Sequence, residues 1–92
     1  MPRYLIEVSH EDSKEACNLA KLAFYRTGSH FVTHADWGCS DGEHKAWINV
    51  ELDSKEEAKT ILPPAFRSNA KVIELEKIDS ESMEQVINKH KG

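Results

Sequence analysis

From Arg3 to Ser9 the chain alternates, with Tyr4, Ile6 and Val8 on one side and Leu5 and Glu7 on the other, which is the period of a half-buried strand. Between Glu11 and Thr27 the period changes. Ala16, Cys17, Leu19, Ala20, Ala23 and Phe24 recur at helical spacing behind an acidic first turn, with Cys17 on the buried side and Gly28 as the stop. Ser9 and Asp12 are the candidate cap residues for this helix. The pattern then returns to strand. Ser29 to Trp37 divides into Phe31, Thr33, Ala35 and Trp37 against His30, Val32, His34 and Asp36, and the first set is expected to face the helices. Gly38 to Gly42 contains Asp-Gly and reads as a hairpin turn. In the strand from His44 to Leu52, Ala46, Ile48, Val50 and Leu52 point inward and Trp47 points outward.

Ser54 and Glu57 form a capping box that opens a second helix, with Ala58, Ile61 and Leu62 as its stripe and Pro63-Pro64 as its end. Phe66 is a candidate core plug in the connector that follows. Lys71 to Ile78 reads as a fourth strand with Ile73 and Leu75 inward and Val72 outward. From Ser80 a short helix carries Met83, Val86, Ile87 and His90 on one stripe.

The order strand-helix-strand, strand-helix-strand predicts an α+β protein with a ferredoxin-like βαββαβ sandwich over residues 1–78. Its antiparallel sheet has order 4-1-3-2, and residues 79–92 form a C-terminal helix and tail. One sheet face is then bare, with Leu5, Val32, Trp47 and Val72 expected on it. An exposed apolar patch of that kind marks association, so the expected partner is a second copy forming a homodimer through the open face, the C-terminal helix, or both.

Composition narrows the partners further. The chain has 92 residues and a net charge of −4, an acidic balance that repels phosphate backbones, so nucleic acid is not expected as a partner. There is no apolar run of about 20 residues and no signal-peptide pattern, so no membrane partner is expected and a cytoplasmic location is. Cys17 and Cys39 are a candidate disulfide pair, but in a reducing compartment two free thiols are the expectation.

Candidate chemistry gathers on the hairpin of residues 29–52. His34, Cys39 and His44 are soft ligands spaced His-x4-Cys-x4-His, a set that suits zinc and related metals but falls short of the four ligands of a closed site. The competing reading makes them polar strand-edge and turn residues. His34 and Asp36, on one strand face, are a candidate general base and its neighbour, with Glu7 and Glu74 expected on the same surface. Trp37 and Trp47 either stack a flat ligand or cap the core and fill an interface. Arg67 either meets an anionic ligand or pairs with the protein's own acids.

The stretches HADWGCSDGEHKAW (His34 to Trp47) and ILPPAFRSNAKV (Ile61 to Val72), opened by MPRYLIEV, resemble those of a group of small prokaryotic proteins of about this length with no established activity. In layout the chain is also similar, more distantly, to small ferredoxin-like nickel-binding proteins and to the dimeric alpha-beta barrel superfamily, whose members include monooxygenases and lactone isomerases. That likeness implies architecture and adds nickel to zinc as a candidate cofactor. Three functions stay open: a dimeric ligand- or metal-binding protein using the hairpin, a small enzyme with His34 as general base, and a protein-protein interaction module.

Overall fold

The computed structural model describes the backbone of residues 1–91 and the side chains of residues 1–88; the side chain of His90 lies outside the described residues. Four strands, β1 (Arg3–Ser9), β2 (Asp36–Trp37), β3 (Lys45–Glu51) and β4 (Ala70–Leu75), form one sheet in the order β2-β3-β1-β4 with every neighbouring pair antiparallel. The helices are α1 (Lys14–Thr27), α2 (His30–Thr33), α3 (Lys55–Thr60) and α4 (Ser80–Lys91), with short 3₁₀ turns at Cys39–Asp41 and Pro64–Phe66.

The α+β class and the strand order agree with expectation, but the helices are not distributed as in the ferredoxin-like βαββαβ sandwich, and that expectation is corrected. The main departure is at Ser29 to Ala35, expected as strand. This segment had no clean alternation, and as α2 it buries Val32 alone while Thr33 N–H donates to Ser29 O at 3.0 Å. Helix thus satisfies local backbone groups and buries the one residue that must go inside. Only Asp36 and Trp37 remain as strand, paired with Trp47 and Ala46.

Two helix starts follow from capping chemistry. α1 begins later than expected because Ser13, rather than Ser9 or Asp12, accepts the N–H of Ala16 at 3.0 Å. On this helix Leu19 turns to solvent, while Cys17, Ala20 and Phe24 share the buried face. For α3, Ser54 Oγ accepts from Glu57 N–H at 3.2 Å and Glu57 accepts from Asp53 N–H at 3.1 Å, a capping box displaced by one residue on its return arm.

The core lies between the sheet and the helices. Tyr4, Ile6 and Val8 of β1 and Ala46, Ile48 and Val50 of β3 supply its sheet side, with Phe24, Val32, Ala58 and Leu62 above them. Phe66 packs edge-on against Phe24 with ring centres 5.6 Å apart. The phase of β4 is the reverse of the expected one. Its register places Val72 opposite Ile6 and Ile73 opposite Leu5, so Val72 faces the core and Ile73 faces out. Sequence alternation in KVIELEKI is equally apolar in both phases, and pairing with β1 decides it. The outer face therefore carries Leu5, Trp47, Ile73 and Leu75; Val32 and Val72, expected there, are on the core side. No described helix is long and apolar enough to cross a membrane.

Candidate metal and thiol centre

At one end of the sheet the chain brings four soft ligands together. His10 directly follows β1 and His44 directly precedes β3, and the antiparallel pairing of Ser9 with Lys45 makes them neighbours. His10 N–H donates to His44 O at 3.1 Å, one rung beyond the ladder. Cys17 comes down from the buried side of α1, and Cys39 opens the 3₁₀ turn between β2 and β3. The turn is set by three bonds at Gly38, whose N–H donates to Lys45 O at 3.1 Å and whose carbonyl accepts from the N–H groups of Asp41 and Glu43, each at 3.0 Å. Gly38 must be glycine for space: a Cβ there would lie 2.8 Å from both Glu43 O and the Trp47 ring.

His10, Cys17, Cys39 and His44 offer ligand atoms that all lie within 4.8 Å of one another. His10 Nε2 is 2.9 Å from Cys17 Sγ and 3.2 Å from Cys39 Sγ, and His44 Nδ1 is 3.5 Å from Cys17 Sγ. Cys17 and Cys39 form a disulfide, which corrects the expectation of two free thiols. An assumed reducing compartment favours the wrong alternative, and it is the packing of α1 over the hairpin that joins residues 22 apart.

The two imidazoles are set up differently. His44 aims Nδ1 at the sulfurs and places Nε2 2.7 Å from Asp12 Oδ1, so the carboxylate fixes the tautomer with the proton on Nε2. His10 is held below the usual imidazole range, first by burial and then by the neighbouring His44 and Lys21. Its ring stays neutral near pH 7, with a lone pair available to a metal. The cluster is partly buried and opens on a cavity of about 290 Å³ lined by Lys14, Asn18, Lys21 and Ser40 beside Cys17, Cys39 and His44.

The chemistry these atoms support depends on the sulfurs. As thiolates, two sulfurs and two neutral imidazoles make an S₂N₂ set of the kind that binds zinc tetrahedrally, with S···N edges of roughly 3.5 Å from ordinary zinc bond lengths. As a disulfide, the same sulfurs are poor ligands. The cluster can therefore hold a metal or a disulfide, and not both at once.

Of the expected ligands, Cys39 and His44 are in this cluster and His34 is not. His34 sits exposed at the end of α2, its ring tilted against that of His30 with centres 4.3 Å apart and its Nδ1 3.1 Å from His30 O. His34 and Asp36 share no hydrogen bond among the described residues, and both are exposed. Trp37 packs against Phe24 at 4.9 Å and flanks His10 at 6.0 Å, forming a wall of the centre. Trp47 donates its indole N–H to Glu7 Oε1 at 3.2 Å on the outer sheet face. Arg67 donates to the carbonyls of Leu62 and Thr60 at 3.2 and 3.1 Å, capping the end of α3. Both of its bonded nitrogens are thus engaged by the chain itself. The sequence reading missed His10 and Cys17. The signal was present as two pairs, His-x6-Cys and Cys-x4-His, which flank strand ends that the expected sheet order already made adjacent.

No family model matches this chain, and no curated protein and no solved structure matches it.

Proposed function

We propose that this protein binds a single transition-metal ion of the zinc class through Cys17, Cys39, His10 and His44 when its thiols are reduced. One observation carries the reading: four ligand atoms of the right chemistry converge within 4.8 Å from four separate parts of the chain. Two further features support it. Asp12 stands behind His44 as the outer carboxylate that metal-bound histidines ordinarily have, and His10 is biased toward its neutral form. Zinc is favoured over nickel because S₂N₂ donors on elements able to surround an ion suit tetrahedral coordination, whereas nickel favours a square plane. The Cys17–Cys39 disulfide is the oxidised, metal-free counterpart of the centre.

The test is anaerobic titration of the phosphine-reduced chain with cobalt, whose spectrum reports ligand type and geometry. One cobalt per chain, with intense tetrahedral bands and thiolate charge transfer displaced by zinc, is expected. Cys39→Ser should remove the charge-transfer contribution of one of the two thiolates. Titration without a charge-transfer band, or an unchanged spectrum in Cys39→Ser, would sink the proposal. Square-planar spectra with nickel at higher affinity than zinc would reassign the metal.

A further inference from the structure

Two apolar surfaces of this chain are complementary and do not meet within one copy. The first is α4. Every described side chain from Ser80 to Asn88 is exposed, and Met83, Val86 and Ile87 form one stripe at 44%, 46% and 57% exposure. An isolated 12-residue helix is marginal in water, so this stripe needs a surface to cover it. The second surface is the outer sheet face. Leu5, Trp47, Ile73 and Leu75 lie there because Leu5 pairs with Ile73, Arg3 with Leu75 and Glu7 with Trp47.

Charge complements shape. Arg3 and Lys71 belong to the outer face beside Glu51 and Glu7, and neither cation has an ion-pair partner among the described residues. The start of α4 carries Asp79, Glu81 and Glu84. Lengths agree as well. Twelve residues of helix span about 18 Å, and four strands span roughly 14 to 19 Å across.

The remaining question is whose sheet α4 covers. It leaves the edge strand β4 and projects from the body, giving the molecule a length of 58 Å and a radius of gyration of 17.1 Å. A compact chain of this size has a radius of about 12 Å. A projecting arm and a bare face on the same chain are satisfied together when two copies exchange arms about a two-fold axis.

We infer that the protein is a homodimer in which α4 of each copy lies across the outer sheet face of the other, Met83, Val86 and Ile87 packing on Leu5, Ile73 and Leu75. The proposal is independent of the metal centre and is tested on the disulfide form without metal. Sedimentation velocity of the full chain over micromolar concentrations should show a dimer. Removing residues 77–92, or introducing Ile87→Glu, should give a monomer with at least a hundredfold weaker association. Ile87 is exposed, so the variant keeps its fold, which far-UV circular dichroism verifies. A dimer that survives truncation means direct sheet-to-sheet pairing, and overturns the exchange. So does a full-length monomer, whether Ile87→Glu exposes Trp47, as for an arm folded on its own sheet, or leaves Trp47 fluorescence unchanged, as for a free arm.

Discussion

Replacing Asp12 tests the centre without touching a ligand. The carboxylate accepts the Nε2 proton of His44 at 2.7 Å and so holds Nδ1 as the free lone pair facing the sulfurs. Losing such an outer partner ordinarily weakens metal binding about 10- to 100-fold, or about 1.4 to 2.8 kcal/mol. Asp12 is 90% exposed, so water competes for the same bond and salt screens the charge. The expected loss for Asp12→Ala is therefore at the lower end, about tenfold in zinc affinity at low ionic strength. It should shrink at high salt, and Asp12→Asn, which keeps an acceptor oxygen, should lose less. Competition between the reduced protein and a chromophoric chelator measures this directly. An affinity unchanged in Asp12→Ala at low salt refutes the tautomer role. A loss beyond about a thousandfold refutes it in the other direction, since a supporting contact cannot supply that much and Asp12 would have to ligate the metal itself.

Gly38→Ala forces a methyl to within 2.8 Å of Glu43 O and the Trp47 ring. Overpacking of about 1 to 3 kcal/mol outweighs the gain from a stiffer unfolded chain, so the urea midpoint should fall, and an unchanged midpoint would show that the turn yields freely. Cys39→Ser opens a cross-link between residues 22 apart, which on loop entropy is worth about 3 kcal/mol; chemical denaturation under oxidising conditions reads the difference. His10 is lowered in the folded chain by burial and by His44 and Lys21, so below its unfolded value of about 6.5 the unfolded chain takes up more protons. Stability of the disulfide form should therefore be complete above about pH 6.5 and decline below it, with a smaller decline in His10→Asn. Phe24→Ala removes a buried ring that touches both Trp37 and Phe66, and should cost about 3 to 5 kcal/mol by thermal unfolding.

Alternation was legible wherever one face was uniformly apolar. β1 and β3 could be phased from Tyr4, Ile6, Val8 and Ala46, Ile48, Val50 alone, and the sheet order followed from the handedness of crossovers. It failed at β4 and at α2 for one reason. Val72, Ile73 and Leu75 offer apolar residues to both faces, and Phe31 and Val32 are adjacent, so each segment waits on its neighbours for its phase or its type. The centre was half legible. Cys39 and His44 are close in sequence and fall within one hairpin, but His10 and Cys17 reach them only through strand pairing and helix packing. A strand between residues 29 and 37 would carry His34 alongside His44, which is what makes it a candidate ligand in the sequence. As helix, that segment turns the residue away.

The hydrogen bond from His10 to His44 ties the ligand set to the register of the β1–β3 pair. A slip of one residue would turn Tyr4, Ile6 and Val8 outward and also bring His10 opposite Glu43 or Lys45 in place of His44. Mispaired chains would then lack the donor set as well as the core. Under the proposed metal binding, loading of the centre would select molecules whose two central strands have zipped in the correct frame.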